Sequence, residues 1–182
     1  MQGQGNMVAT ENALDLAIEG PGFFQIVQPD GTLAYTRDGA FKLSQDGELV
    51  NSAGFLLDPQ VVIPNEAASV TVGADGTISV ELANGGGNQQ LAQLQIARFV
   101  NASGLESLGQ NLFRETQASG QPLVLVPGEQ GAGSIAQGML EASNVNVVEE
   151  LVNMIETQRA YEVNSKAISA VDSMLRFLNN NL

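Results

Sequence analysis

The chain has 182 residues, 43% of them apolar but only 5% aromatic, so it holds enough Val, Leu, Ile and Ala for one sizeable core and few large anchors. Its 20 acidic against 7 basic residues give a formal charge of −13, which repels phosphate backbones and anionic lipid and argues against nucleic-acid or membrane-surface partners. With no Cys and no His it cannot form disulfides, zinc sites built on those ligands, or nucleophile–histidine pairs.

Residues 1–13 are polar and Gly-rich and read as an extended or frayed arm. They carry neither a basic nor an apolar leader pattern, and no apolar run approaches about eighteen residues, so no cleaved export signal or membrane span is readable. Leu14, Leu16 and Ile18 alternate with Asp15, Ala17 and Glu19, the pattern of a half-buried strand, which stops at Gly20-Pro21-Gly22. Residues 23–27 are the next strand. Asp30-Gly31, Asp38-Gly39 and Asp46-Gly47 then fall eight residues apart, with strand-sized segments at 32–37, 40–44 and 48–51 between and after them. That timing predicts a hairpin meander, because Gly accepts positive φ and Asp caps its own turn.

Pro59 and Pro64 bracket residues 60–63, which fit an edge strand or an extended crossing. Residues 69–72 and 77–82 flank Ala74-Asp75-Gly76 as a hairpin, residues 84–88 are a Gly-rich loop, and residues 91–99 return as a strand with Leu94 and Ile96 on one face. Residues 101–127 read as loop with short strands, and the Gly-rich residues 128–138 as a flexible connector toward the terminal helix.

Four features invite a chemical reading and receive a plainer one. The Asp-Gly turns lack the alternating acids and closing Glu of an EF-hand loop. Residues 128–134, GEQGAGS, lack the Lys-Ser/Thr pair of a phosphate loop, and Glu129 opposes an anion. Carboxylate pairs such as Asp46 with Glu48 arise by chance among so many acids, and no Trp offers a sugar-stacking surface. Arg37 beside Asp38 reads as a hairpin turn with a local ion pair worth at most about 1 kcal/mol. No catalytic, cofactor-binding or metal-binding residue is assigned, and the chain is read as a non-enzyme.

The last forty residues are different. Val147, Met154, Tyr161, Ile168, Leu175 and Leu182 recur at every seventh position, joined by Leu151, Ile155, Val171 and Leu178. Asn146 and Glu149 have capping-box spacing, acids open the segment, and no Gly or Pro interrupts residues 146–178, which predicts a helix about 50 Å long. Gln158, Asn164 and Ser165 interrupt the row as polar register markers, and Val152, Ala160, Val163, Ala167, Met174 and Phe177 widen the apolar surface beyond a two-stranded seam. A strand of ordinary length covers only about 20 Å, so the helix is expected to pack against other chains or a missing segment rather than fold back onto its own sheet. The fold class is therefore mainly β, a β-meander in an irregular sandwich or barrel-like body, plus a long C-terminal α-helix that forms coiled coils.

Five stretches carry a family resemblance: AIEGPGFFQI (17–26), YTRDGAFKL (35–43), QDGELVNSAGF (45–55), GLESLGQNLFRETQASGQP (104–122) and SNVNVVEELVNMIETQRAYEVNSKAI (143–168). In this order they resemble the axial proteins of the bacterial flagellum, the rod and hook family, with its distal-rod branch nearest. Gly22, Phe23, Phe24, Tyr35, Arg37, Asp38 and Gly39 are the body residues that the motifs single out. The resemblance implies three segments: 1–13 as the remnant of a connecting arm, 14–142 as a β-rich outer rod domain, and 143–182 as the C-terminal helix of an inner helical domain. It implies a structural subunit that self-assembles helically into a hollow shaft and transmits torque from motor to hook. Its neighbours would be further copies, proximal rod and hook proteins and surrounding ring proteins. It would lie in the periplasmic basal body after type III export. The family's N-terminal helix would precede Met1, so the chain is expected to be truncated there. Proximal rod or hook-family membership, and a secreted carbohydrate-binding or adhesive β-domain, are the alternatives.

Overall fold

The computed structural model describes residues 4–83, 87–145 and 147–180. The chain divides into two compact units, Met1–Ser143 and Asn144–Leu182. The first is irregular and built of strands apart from one 3-10 turn at Ala102–Gly104: β1 (Met7–Ala9), β2 (Leu16–Glu19), β3 (Phe23–Val27), β4 (Leu33–Thr36), β5 (Lys42–Leu43), β6 (Leu49–Val50), β7 (Leu56–Asp58), β8 (Ala67–Val72), β9 (Thr77–Leu82), β10 (Asn88–Gln93), β11 (Ile96–Arg98), β12 (Glu106–Gly109), β13 (Leu112–Arg114), β14 (Leu123–Leu125), β15 (Ser134–Gln137) and β16 (Met139–Glu141). The second contains α1 (Val147–Asn180), a helix of 34 residues. No helix among the described residues is long and apolar enough to cross a membrane.

The organising strand is β3. One edge carries β4 along its length, and the other is shared, β7 pairing with Gln25–Val27 while β11 takes Phe23 and Phe24. The largest sheet runs β12-β13-β4-β3-β7-β6-β5, with β14 on the far side of β11; its ends do not meet, so the barrel-like alternative gives way to open, irregular sheets. Strand alternation then builds two cores from one strand. Phe24 and Ile26 face the larger core with Ala34, Leu57, Ile96 and Leu112. Phe23, on the opposite face, joins Tyr35, Ala97 and Phe99. Edge-on ring contacts hold this smaller cluster, Tyr35 to Phe99 at 4.8 Å and Phe23 to Phe99 at 5.9 Å, the geometry that suits aromatic quadrupoles.

Several sequence expectations change at this level. The arm is not frayed throughout: β1 pairs with β16, Val8 opposite Leu140, and Thr10 N–H reaches the Gly138 carbonyl at 2.8 Å. Leu16, Ala17 and Ile18 are all buried, because β15 pairs along β2 and β16 runs beside it, so the alternation read as half-buried belongs to a strand covered on both faces until exposed Glu19. The Gly-rich connector is largely structure. Its residues 134–137 are β15, and Ala132 and Ile135 lie in the core. Residues 91–99 are two strands, since β10 ends before Leu94 and β11 joins a different sheet. Residues 60–63 form the extended crossing, held by Leu49 N–H to Val61 and Ile63 N–H to Gly47.

Local turn chemistry behaves as expected where nothing distant intervenes. In Asp30-Gly31 and Asp75-Gly76 the glycines sit at φ near +80°, and each Asp side chain accepts the N–H of the Thr two residues on. Those Thr hydroxyls donate as well, and together the bonds hold both carboxyls below the usual Asp range. The side chain of Gln137 makes a longer link: it accepts Val72 N–H and donates to Val70 and Ala13 carbonyls, so one amide binds the open edge of β8 to the start of β2. In the helical unit the expected cap Asn146 and terminal Leu182 lie outside the described residues.

Two outcomes are expected. Phe24, fully buried and edge-on to Phe41 at 5.2 Å, should cost about 3–5 kcal/mol when changed to Ala, read by urea unfolding of the full chain. A carboxyl held low when folded contributes stability above its unfolded value and loses it as pH falls through the folded one. The D30N/D75N double variant, which keeps the acceptors, should therefore flatten the fall in melting temperature between about pH 5 and about pH 2.

Candidate functional site

Two features of the chain collect the residues that the sequence singles out. The first is a knot in the body built from Tyr35, Thr36, Arg37, Asp38 and Gly39, at the end of β4. The expected hairpin at Asp38-Gly39 does not form, because β4 and β5 are not neighbours; β5 lies at the far end of the sheet. Gly39 instead meets β2. Its carbonyl accepts Leu16 N–H at 3.0 Å, and a Cβ on Gly39 would stand 1.5 Å from the Leu16 carbonyl oxygen, so any side chain would drive the two segments apart. Asp38 holds the corner, accepting Ala40 N–H at 3.1 Å, and its own N–H donates to the Thr36 hydroxyl, which in turn donates to the Asn111 carbonyl.

Arg37 is not paired with Asp38. Its guanidinium turns inward: Nε donates to Glu141 at 2.7 Å, one terminal nitrogen donates to the carbonyls of Gly20 and Gly22, and the other donates to Ile18. The guanidinium carbon sits 5.9 Å from the centre of the Phe23 ring. Four acceptors from three segments therefore converge on one planar cation, the arrangement a fork of fixed donors can satisfy and an ammonium cannot. Gly22, Phe23, Tyr35, Arg37, Asp38 and Gly39 are thus brought together, with Phe24 beneath them in the larger core. Burial pushes the Tyr35 phenol above its ordinary range, helped by the negative charges of Glu115 and Asp58. Sequence reasoning missed Glu141, whose only local signal is that it ends the short run Met139-Leu140-Glu141. None of these groups is arranged as nucleophile, base and oxyanion donor; the chemistry of the knot is structural.

The second feature is the helix. Its described seam positions Leu151, Met154, Ile155, Tyr161, Ile168 and Val171 are all exposed, from 49% at Ile155 to 77% at Tyr161. Val147, Leu175 and Leu178 are helical in backbone, and their side chains lie outside the described residues. Val152, Val163 and Met174 are exposed too, so apolar surface extends beyond the seven-residue row. A straight helix drifts about 20° per heptad from such a row, so a partner following it would wind left-handed. Thr157 and Ser169 return their hydroxyls to the carbonyls of Asn153 and Ser165, which satisfies them without a partner chain.

Two regions match family profiles: residues 17–80 match the flagellar hook protein FlgE/F/G D1 domain, and residues 136–181 match the C-terminal domain of the flagellar basal body rod FlgEFG proteins. The chain is 53% identical to the flagellar basal-body rod protein FlgG of Buchnera aphidicola subsp. Acyrthosiphon pisum over 96% of its own length and 67% of the relative's. It is 48% identical to the FlgG of Borreliella burgdorferi over 97% of its length and 68% of the relative's, and 44% identical to that of Agrobacterium fabrum over 98% and 68%. The chain thus spans about two thirds of the length of these relatives.

The inward arginine makes a prediction that a local Arg37–Asp38 pair would not. R37K keeps the charge but loses the fork and should lower unfolding stability by about 2–4 kcal/mol, because carbonyls are left unpaired. D38N, which keeps its acceptor oxygen, should cost less than about 1 kcal/mol. Denaturant titration of both variants checks the order, and equal losses would mean that the guanidinium's inward bonds contribute little.

Proposed function

The chain belongs to the flagellar basal-body rod protein family, and on that premise we propose that its copies assemble helically through the exposed seam of α1 into the distal part of the rod. It is a structural subunit of the basal body. In this reading Val147, Leu151, Met154, Ile155, Tyr161, Ile168, Val171, Leu175 and Leu178 form the assembly interface, and the β body is an outer domain set on a helical inner one. The assembled rod is a hollow shaft that carries torque from motor to hook. It lies in the periplasmic part of the basal body, which its subunits reach through the flagellar type III pathway. Other copies, proximal rod and hook proteins and the surrounding rings are its neighbours.

The observation that carries the reading is the row of exposed side chains at seven-residue spacing on a helix about 50 Å long. Six large side chains at about 1.5–3 kcal/mol each give a gross gain on the order of 10 kcal/mol on burial. Association itself costs about 4–15 kcal/mol, so a single helix contact sits near balance. Apolar surface on more than one face fits a subunit that several neighbours hold at once, as a filament requires. Net charge acts the other way: at −13 per chain, copies repel until the seam is engaged.

Y161D/I168D tests this. The double variant should raise the concentration needed for assembly by about tenfold or more, read by sedimentation and electron microscopy of the full-length protein, while the cooperative melting of the β body stays unchanged. If the body's melting collapses instead, those positions belong to its core and the seam reading fails.

A further inference from the structure

Both ends of the body unit meet at one carboxylate. Glu141 closes β16; one of its oxygens accepts Arg37 Nε at 2.7 Å and the other accepts Gly5 N–H at 2.8 Å. The pair is mostly out of water, with side-chain exposures of 20% for Arg37 and 10% for Glu141. Arg37 cannot follow a departing Glu141, because its remaining donors hold the Ile18, Gly20 and Gly22 carbonyls. Gln4 adds a weaker tie to the same Ile18 carbonyl at 3.4 Å. A carboxylate on the terminal ladder is therefore fastened to a cation anchored in the interior of the body.

The ladder's other ties to the body are few: Gly138 N–H donates to the Asp15 carbonyl at 2.8 Å at its foot, and β16 runs beside β2. β1 and β16 have three residues each, extended by Thr10 N–H to Gly138 and Ala142 N–H to Asn6. A two-stranded ribbon of that length is not stable in water by itself. Val8 and Met139 on it are exposed and Met7 and Leu140 are only partly buried, so the ladder adds no side chain of its own to the fully buried core. The chain that leaves β16 becomes α1 at Val147, which makes this ladder the covalent route between helix and body.

We propose that the Glu141–Arg37 pair is a latch that locks the terminal ladder to the body, so that load entering along either terminal segment is delivered to the Gly20–Gly22 loop and not spent on unzipping β1 from β16. The use of the latch under load rests on the rod-subunit reading; the latch itself does not. Glu141 acts as a positioning residue for both terminal segments, because one carboxylate binds Gly5 and Arg37 together. Neutralising it while keeping its shape should open the ladder and leave the body closed.

The test is residue-resolved hydrogen–deuterium exchange on the full 182-residue chain. In E141Q the amides of Thr10 and Ala142 should exchange about tenfold or more faster, while amides of β3 and β4 keep their wild-type rates. The chain has no native Cys, so A9C/M139C, at positions directly opposite in the ladder, gives a clean crosslink. Oxidised A9C/M139C/E141Q should return to slow exchange at Thr10 and Ala142, and reduction should release it. Unchanged exchange in E141Q, a uniform rise through β3 and β4 with a lowered melting temperature, or a crosslink that restores nothing would each overturn the latch. Since the measurement needs no assembled rod, a failure to polymerise leaves the latch standing, and loss of the latch leaves assembly through α1 to be judged on its own.

Discussion

One guanidinium sets the geometry of the body. The loop at Gly20–Gly22 turns the chain from β2 into β3 and points two carbonyls inward, where water does not reach them freely, and unpaired buried carbonyls cost about 1–3 kcal/mol each. Arg37 supplies the missing donors from the end of β4, and Glu141 supplies the counter-charge from the last strand. A buried cation without that carboxylate would be a liability, and the carboxylate without the cation equally so. The consequence is a shared centre: β2, the Gly20–Gly22 loop, β3 and β16 each bring a group to the same guanidinium. Phe23, under the guanidinium, links this polar centre to the smaller aromatic core, so packing and charge meet at the same residue.

What the sequence made legible was what short-range chemistry decides. Asp30-Gly31 and Asp75-Gly76 are turns because each Asp bonds a Thr two residues on, and the 34-residue helix follows from its period and lack of breakers. The same dipeptide at Asp38-Gly39 misled, since its partner is Leu16 and nothing local reports a strand arriving from 23 residues upstream. Arg37 misled for the same reason: an adjacent Asp is visible in sequence, a Glu 104 positions away is not. The Gly-rich residues 128–138 show the converse error. Glycine there was read as freedom, whereas β15 lies hydrogen-bonded along β2 with Ile135 in the core. The motif residues from Gly22 to Gly39 were legible as a group through the family resemblance, and their shared centre was not.

The two units differ in how they are held. The body's strands pair across long stretches of sequence, β1 with β16 and β2 with β15, so its loops must close before those contacts stabilise anything. The helix needs only neighbours three and four residues away, yet its large apolar side chains among the described residues stand exposed. One unit therefore carries its stability within itself, and the other has surface left over for association.

Pairing of β1 with β16 places the point where the chain enters the body one strand spacing, about 5 Å, from the point where it leaves. Topologically the body is then closed at its own base. From the standpoint of the segments on either side, residues 7–141 close a gap no wider than a tight turn would. Such a module can be enlarged or trimmed at its loops without altering the separation of the two strands at its base.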